Sequence, residues 1–367
     1  MRTIQRSNSR NYGIELFRIV LMIFIIEGHY LAHTTIRETV PFLSVSWCAI
    51  WILQSITVSA VNGFVFITGY YQKAVNLNLK KTLTLWGKVL FYSVSISLIA
   101  MALGNKTSIL EIVKSFMPIS FSKYWFFTVY VFLYLLTPFF NSAIEHMSKK
   151  QHLTVVAVLF IFTVLKPTFL PIAPQYDPTE GMGIISFIAL YIWGSYCRRY
   201  ITNIKHKKVM LTFSIALVFA SKVAIETLNE YFGATFGSGI LYHYNTMFQV
   251  AICTILFYCF KDIRISEKLG RLITKLSASV FGVYLIHEHP FIRNLLWKNV
   301  FEIDVIAKWS DAIFLSSLIW IPLSVYAISS LIDFFREYIG IKLFKDSIAV
   351  KFNKFINQLQ NMITGSQ

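Results

Sequence analysis

Charged residues are scarce in this sequence. Asp, Glu, Lys and Arg together make up 14% of the 367 residues, whereas apolar residues make up 56% and aromatic residues 16%. A soluble domain carries about 25% charged residues. It would also have to hide 33 Phe, 19 Tyr and 8 Trp without exposing large apolar patches. The composition therefore excludes a soluble globular protein and predicts a chain whose solvent is mostly lipid.

Cysteine is also scarce. The four cysteines, Cys48, Cys197, Cys253 and Cys259, lie in or beside apolar segments. Their spacing matches neither a zinc site nor a disulfide framework. We therefore interpret them as core side chains.

The first apolar segment lacks the features of a cleavable secretion signal. A basic stretch precedes it, as in a signal peptide, but the segment contains Arg18 and continues through Glu27 and His29 without a small-x-small cleavage site. We expect a retained first helix. The sequence also has no low-complexity tract and no evident internal repeat of the kind found in many transporters.

What the sequence does contain is a series of apolar runs. Their lengths are close to what a helix that rises about 1.5 Å per residue needs to cross about 30 Å of hydrocarbon. They predict an all-α, polytopic bundle of about ten transmembrane helices. The runs lie at 14–33, 47–70, 82–103, 124–143, 153–170, 182–197, 209–228, 239–260, 278–297 and 312–334.

The formal net charge of +16 is explained by topology. With the N-terminus placed in the cytoplasm, most of the 34 Lys and Arg fall in segments that are then cytoplasmic, as the positive-inside rule requires. Both termini are thus predicted to be cytoplasmic. No nucleic-acid partner is needed to explain the basic excess.

The C-terminal segment has its own pattern. Apolar residues between Phe344 and Leu359 recur at helical spacing with lysines between them. This pattern predicts a basic amphipathic helix that lies on the anionic lipid of the inner leaflet. We therefore divide the chain into a transmembrane domain at 1–335 and a cytoplasmic tail at 336–367, with membrane lipid as one partner.

Ionisable side chains within the apolar runs are candidates for function, because each costs several kcal/mol in lipid unless it is paired or solvated. Arg18 and His29 lie on the same face of one helix, roughly 16 Å apart along its axis. Two interpretations fit this spacing. Arg18 holds the phosphates of a substrate that enters from the cytoplasm while His29 acts at its reactive end, or Arg18 extends to the inner interface and His29 is a core residue.

Other ionisable residues are predicted to be structural. Glu15 lies one turn before Arg18 and can pair with it, and Lys222 and Glu226 form an i, i+4 pair in the seventh run. Glu27 projects about 160° away from His29 on an ideal helix, which argues against a dyad between these two side chains.

A second polar cluster interrupts the ninth run. His287, Glu288, His289 and Arg293 surround Pro290, and a proline that removes a backbone donor within a membrane helix is tolerated mainly beside a cavity. We predict that His287, Glu288 and Arg293 form a wall of a substrate site. The alternative is that these polar residues mark the outer end of the helix.

Two further groups are candidates for substrate contacts. Lys81 and Lys88, near the start of the third run, form with Arg18 a basic entrance for nucleotide phosphates, or they simply mark a cytoplasmic helix end. In the fourth run Trp125 suits the outer aromatic belt, whereas Tyr130 is too deep for the belt and lines a cavity or joins the core.

Several short motifs follow one another along most of the chain. They read YGIELFRI at 12–19 with His29 downstream, NGFVFITGY at 62–70, YWFF at 124–127 with YLLTP at 134–138, YIWGSY at 191–196, and YLIHE at 284–288. In order and spacing these motifs resemble the integral-membrane acyltransferases of the acyltransferase 3 family, which O-acylate cell-surface polysaccharides and related substrates.

This resemblance implies acyl-CoA, with acetyl-CoA as the expected case, as a cytoplasmic donor, and a carbohydrate hydroxyl as the acceptor. It implies that His29 is the catalytic base, that Arg18 is a donor-site or structural partner, and that the protein lies in a bacterial cytoplasmic membrane. Many members carry two arginines at the start of the third helix. Here Lys80, Lys81 and Lys88 stand in that region, so charge is kept without bidentate geometry. A thioester is already activated, and the chemistry requires no metal.

Two alternatives remain at this point. A transporter or flippase for a polysaccharide or lipid intermediate would also have about ten helices, intramembrane charges and broken helices, and dependence on acyl-CoA separates it from an acyltransferase. A membrane glycosyltransferase usually has acidic residues in its first external loop, where this chain has Glu38 beside Arg37 without a second carboxylate.

Overall fold

A computed structural model describes residues 10–34, 36–71, 79–105, 108–171, 175, 179–234, 237, 239–301, 306 and 310–344. For helix residues 79–81 and 340–344 only the helical backbone is described. No strand occurs in these ranges, so the described part of the chain is all-α. This confirms the fold class that the apolar runs predict.

Sixteen helices are used in the description. They are α1 Tyr12–His33, α2 Ile36–Thr39, α3 Val45–Thr57, α4 Ala60–Tyr71, α5 Leu79–Ala102, α6 Ile109–Phe116, α7 Trp125–His146, α8 Lys149–Phe160, α9 Lys166–Phe169, α10 Ile184–Tyr200, α11 Lys207–Phe232, α12 Met247–Lys261, α13 Glu267–Ala278, α14 Val280–His287, α15 Pro290–Asn294 and α16 Asp311–Phe344. π-helical turns at Ile161–Leu165 and Leu295–Val300 and a 3₁₀ turn at Ile240–Tyr242 join some of them.

Eight helical stretches within the described ranges are long and apolar enough to cross a membrane. Their outer faces carry large apolar side chains, such as Phe139 and Ile319, which a bilayer rather than water would solvate. The other two predicted spans correspond to α1, which carries Glu15, Arg18 and Glu27, and to α10, which has 17 residues. The total of ten and the side on which the termini lie stay predictions.

The predicted tail is only partly described. The last helix, α16, continues to Phe344, past the predicted boundary at residue 335. The amphipathic pattern predicted for the tail falls mostly on residues 345–367, which lie outside the described residues.

Helix α1 is the central element of the bundle. Its start is fixed by Asn11, whose side chain accepts a hydrogen bond from the backbone N–H of Ile14. It packs against α3, α4, α12, α13, α14 and α16, and Phe17, Leu21 and Ile26 are fully buried. A polar side chain on α1 is therefore held inside the bundle by neighbours on several sides.

Helix α4, which packs against α1, is itself in close backbone contact with α10. A Cβ at Gly69 would lie 2.1 Å from the carbonyl oxygen of Tyr191, and a Cβ at Gly194 would lie 2.6 Å from that of Phe66. Only glycine permits this approach, which gives a physical reason for two glycines of the NGFVFITGY and YIWGSY motifs.

The helix break predicted at Pro290 is present. Helix α14 ends at His287 and α15 begins at Pro290. The Nδ1 atom of His289 accepts a hydrogen bond from the N–H of Phe291 and thereby caps the new helix. His287 is the last residue of α14, and Glu288 lies at the break. Because the chain turns here, both residues lie beside α1.

Candidate active site

The candidate active site is the contact between α1 and the end of α14. Nδ1 of His29 lies 3.0 Å from Nε2 of His287 and 3.0 Å from Oε2 of Glu288. His287 and Glu288 are buried, whereas His29 keeps a fifth of its side chain exposed, 20%. The sequence analysis treated His29 of the first run and the His287–Glu288 pair of the ninth run as separate candidates. The structure brings these side chains into contact.

The hydrogen bonds determine which nitrogen of each ring carries a proton. Nδ1 of His287 lies 2.6 Å from the carbonyl oxygen of Val283, and because a carbonyl only accepts, this nitrogen is the donor. Nε2 of a neutral His287 is then an acceptor, and Nδ1 of His29 donates to it. The free lone pair of His29 is therefore on Nε2, which has no hydrogen-bond partner in the described part of the chain. This is the arrangement of an oriented general base.

Glu288 supplies the negative charge of the site. Its Oε1 accepts a hydrogen bond of 3.0 Å from Nη1 of Arg293, and its Oε2 faces His29 and lies 3.8 Å from Nε2 of His33. The Nδ1–H of His29 is better directed towards His287 than towards Glu288, because Oε2 of Glu288 has no well-directed hydrogen-bond partner among the described residues. The contact of Glu288 with His29 is electrostatic, because a carboxylate at this distance favours the protonated form of an imidazole.

A largely apolar cavity of about 220 Å³ extends along α1 from Arg18 to His29. We name it the Arg18 cavity. Its polar or aromatic lining includes Thr68, Trp125, Tyr130 and Tyr284, and its apolar lining includes Met22, Ile25, Val61, Phe64, Ile67, Leu85 and Phe281. The hydroxyls of Tyr130 and Thr68 are 3.2 Å apart. Both predicted substrate residues of the fourth run, Trp125 and Tyr130, thus line the cavity that contains Arg18 and His29.

Arg18 stands at the far end of this cavity from His29. Its Nη1 is 3.3 Å from Oε1 of Glu15, which confirms the predicted pair, and Oε2 of Glu15 accepts a hydrogen bond of 2.5 Å from Ser277. The Arg18 side chain is 37% exposed. Since a guanidinium has five N–H donors, most of them remain available to a ligand.

A second cavity of about 390 Å³ begins on the other side of His29. We name it the Arg37 cavity. It follows Gly28, His29 and Ala32 of α1 towards Arg37 of α2, and its further lining includes Trp51, Gln54, Thr57, Glu180, Tyr242, His243 and Tyr244. Ile25, His29 and Val61 line both cavities. His29 is therefore the polar side chain at their junction.

The predicted lysine contacts are placed differently. Nζ of Lys88 is 2.8 Å from Oδ2 of Asp333, and Oδ1 of Asp333 also accepts from Tyr92 and Arg336. The charge of Lys88 is thus balanced inside the bundle, and Lys88 does not line the Arg18 cavity. The side chain of Lys81 lies outside the described residues.

Three side chains near the site were missed by the sequence prediction. His33 lies one turn after His29 on α1, with ring centroids 5.5 Å apart, and its i, i+4 spacing was an available signal. Asp333 lies in the last apolar run and Arg336 just after it, and the two form an ion pair of 3.0 Å. Glu27 projects away from His29, as the helix geometry predicts; it is buried, and neither of its oxygens has a hydrogen-bond partner among the described residues.

Comparison with known families identifies the class. The sequence profile described as an acyltransferase domain matches residues 11–332, a range that contains every candidate site residue. Because the match covers most of the chain, the protein belongs to acyltransferase family 3. No curated protein and no solved structure matches the chain. With its membrane-spanning helices, the protein is a membrane acyltransferase.

Proposed function

We propose that this acyltransferase moves a small acyl group, such as acetyl, from cytoplasmic acyl-CoA to a carbohydrate hydroxyl of a cell-surface polysaccharide or its lipid-linked precursor. The observation that carries this proposal is the position of His29. Its Nδ1 is anchored by His287 and faces Glu288, and its side chain lies at the junction of the Arg18 cavity and the Arg37 cavity. One oriented base thus faces two compartments that can each take one substrate.

The Arg18 cavity fits the thioester end of the donor. It is mostly apolar, which suits a pantetheine chain and a small acyl group, and it has the cation Arg18 at one end. The cation can make charge-assisted hydrogen bonds with the donor phosphates. The predicted topology places the Arg18 end of α1 at the cytoplasmic side of a bacterial cell membrane, where acyl-CoA is available. About 16 Å of helix axis separates Arg18 from His29.

The Arg37 cavity fits a sugar. Its aromatic rings Trp51, Tyr242 and Tyr244 offer flat apolar surfaces, while Gln54 and Thr57 offer hydrogen-bonding groups. Sugars present both kinds of surface, because their ring C–H faces are apolar and their hydroxyls donate and accept. In the predicted topology this cavity lies towards the external side.

The reaction then needs only groups of this chain. Nε2 of His29 takes the proton of the acceptor hydroxyl as its oxygen attacks the thioester carbon. The new C–O bond forms, the C–S bond breaks, and the thiolate of CoA leaves with the bonding electrons. The imidazolium of His29, stabilised by Glu288, returns its proton to that thiolate. In the alternative order, Nε2 attacks the thioester first and carries the acyl group briefly as an acyl-imidazole.

The first experiment is transfer of radiolabel from acetyl-CoA to extracted glycan by membranes that contain the protein. We expect wild-type transfer, and a loss of about 10²- to 10⁴-fold in His29→Ala. His146→Ala is the matched control, because His146 is exposed at the end of α7. Equal transfer by both variants would overturn the role of His29. Labelled protein that accumulates without acceptor would favour the acyl-imidazole order.

The second candidate is a transporter or flippase, favoured by the broken helix at Pro290 and by two cavities that meet inside the bundle. It predicts no label transfer from acetyl-CoA in any variant. It also predicts that a sugar-lipid or polymer accumulates on one side of the membrane in cells that lack the protein. Acyl-CoA dependence therefore separates the two functions.

A further inference from the structure

Three metal-ligand atoms converge at the junction of the two cavities. Nδ1 of His29, Nε2 of His287 and a carboxylate oxygen of Glu288 all lie within 4.8 Å of one another. We propose that these three side chains form a reversible binding site for a divalent transition metal ion, with Zn²⁺ as the preferred ion, and that the bound ion inhibits acyl transfer. The binding stands by itself, whereas the inhibition rests on the proposed function.

The distances are close to those that zinc requires. Nδ1 of His29 is 3.0 Å from both Nε2 of His287 and Oε2 of Glu288. In a tetrahedral zinc site with metal–ligand distances of about 2.0–2.1 Å, the ligand atoms lie roughly 3.3–3.4 Å apart. Both distances from Nδ1 of His29 are thus within a few tenths of an ångström of the tetrahedral value, and the third pair of ligand atoms lies within 4.8 Å.

The outer contacts of the site are those of a metal site. Nδ1 of His287 donates to the carbonyl of Val283 and leaves Nε2 free to bind, and Oε1 of Glu288 accepts from Arg293 and leaves Oε2 free. Metal-ligating histidines usually donate their second N–H to a carbonyl or carboxylate in this way, which fixes the ring and strengthens the ligand. Two of the three ligands are thus already held in a binding orientation.

The donor set also selects the type of ion. Two imidazoles and one carboxylate favour zinc, cobalt or nickel over magnesium and calcium, which prefer oxygen ligands. The fourth ligand can be water. It can also be His33, whose Nε2 is 3.8 Å from Oε2 of Glu288. Partial exposure of His29 at both cavities gives the ion an entry path. Within the described ranges, no other group of three such ligands occurs.

Inhibition follows from the tautomer of His29. In the metal-free site Nδ1 carries the proton and Nε2 is the base. A metal ion on Nδ1 needs the lone pair of that nitrogen, so a neutral His29 must then carry its proton on Nε2. The nitrogen that faces the substrates becomes a donor and can neither accept the hydroxyl proton nor attack a thioester. Zinc therefore abolishes the base without closing either cavity.

The test uses full-length protein in detergent, freed of metal with a chelator and titrated with Co²⁺ and Zn²⁺. We expect one Co²⁺ per chain with the visible absorption of a four-coordinate ion, displaced by Zn²⁺. His287→Gln and Glu288→Gln should each weaken binding by at least about 100-fold, because each removes a direct ligand and even the loss of an outer contact costs about 10- to 100-fold. The control His146→Gln should bind as the wild type does. Size-exclusion elution and thermal unfolding check that each variant is folded.

X-ray absorption of the zinc-loaded wild type gives a result that needs no variant. We expect two imidazole nitrogens and oxygen at about 2.0–2.1 Å; sulfur ligands, or no stoichiometric binding, would overturn the site. In parallel, acyl transfer should fall with the occupancy measured by Co²⁺ displacement and recover on chelation. Binding without any transfer activity in metal-free protein would reject the proposed function and leave the site intact. Undiminished transfer at full occupancy would reject the inhibition alone.

Discussion

Nδ1 of His29 lies 3.0 Å from Nε2 of His287, although 258 residues separate them in the chain. The contact joins the central helix α1 to the end of α14 at the point where the helix breaks. It fixes the proton of His29 on Nδ1 and leaves the lone pair of the ring on Nε2. Both the proposed catalysis and the proposed metal inhibition depend on this one proton.

The first prediction concerns the charge beside His29. Glu288→Gln keeps the size of the side chain but removes the charge that stabilises the imidazolium of His29. Because His287 still orients the ring, we expect kcat to fall only about 10- to 100-fold with an unchanged KM for acyl-CoA, a loss smaller than that of His29→Ala. Steady-state kinetics with purified protein measures both constants. The exposed Glu38→Gln is the control, and an unchanged kcat in Glu288→Gln would contradict this role.

The second prediction concerns the donor end. Arg18→Ala removes a cation whose charge-assisted hydrogen bonds are worth about 1.5–3 kcal/mol each, so the KM for acyl-CoA should rise roughly 10- to 100-fold. The effect on kcat should be smaller, since Arg18 is far from the reacting atoms. Glu15→Gln leaves Arg18 in place without its partner and should change the KM much less. If kcat falls and the KM does not, Arg18 has a structural role instead.

The third prediction separates the two cavities. Gly28 lines the Arg37 cavity but not the Arg18 cavity, and a Cβ added there meets no atom within 4 Å. The Cβ of Gly28→Leu therefore fits without a clash, the rest of the side chain takes up acceptor space, and the substitution slightly favours the helix. We expect transfer to glycan to fall at least about tenfold, whereas slow hydrolysis of acetyl-CoA by water continues.

A matched control is available for this substitution. Gly87 of α5 also has free space around its Cβ and lines neither cavity. Gly87→Leu should leave both transfer and hydrolysis at the wild-type level. If Gly28→Leu lowers hydrolysis as strongly as transfer, the substitution disturbs His29 itself and the acceptor assignment of the Arg37 cavity loses its support.

The fold and the site differ in how far they can be predicted from sequence. The apolar runs predict the helices because the bilayer demands long apolar segments, and local spacing predicts the pairs of Glu15 with Arg18 and of Lys222 with Glu226, both of which are present. The break at Pro290 is also predictable, since proline removes a local hydrogen bond. These features depend on neighbours in sequence.

The contacts that make the site depend on packing between distant helices. Periodicity indicates that His29 and His287 lie in helices, but not that the two helices touch or in which register. Lys88 shows the consequence: its position near the start of the third run suggests a phosphate contact, whereas Asp333 of α16, distant in sequence, binds it. One-dimensional patterns carry no information about that choice of partner.

The fourth prediction tests that buried pair. Asp333→Leu leaves Lys88 without a partner inside the bundle, and breaking a buried pair costs about 3–5 kcal/mol. We expect a clear drop in the thermal unfolding temperature in detergent. The double variant Lys88→Met with Asp333→Leu should recover part of it, because Lys88 then leaves no unpaired charge, whereas Arg336 still lacks Asp333. Additive losses in the double-mutant cycle would show that the two side chains act independently.

The fifth prediction concerns Lys123, which lies just before α7 and outside the membrane-spanning helices. Its Nζ donates to the hydroxyls of Ser97 and Ser115 and to the carbonyl of Ser93. No carboxylate lies within ion-pair distance of it in the described part of the chain. Burial lowers the pKa of this ammonium to about 8, an effect that the charge of Glu111 partly offsets.

The sign of the pH effect follows from linkage. Between the folded pKa of about 8 and the ordinary value of about 10.4, the unfolded chain binds more protons than the folded chain, so the free energy of unfolding rises with pH in that window. The unfolding temperature of the wild type, relative to Lys123→Met at the same pH, should therefore increase from pH 7 to pH 9. Lys114→Met, which removes a neighbouring lysine of the segment between α5 and α7, controls for general charge effects. A constant difference between wild type and Lys123→Met across that range would mean that Lys123 keeps an ordinary pKa in the folded protein.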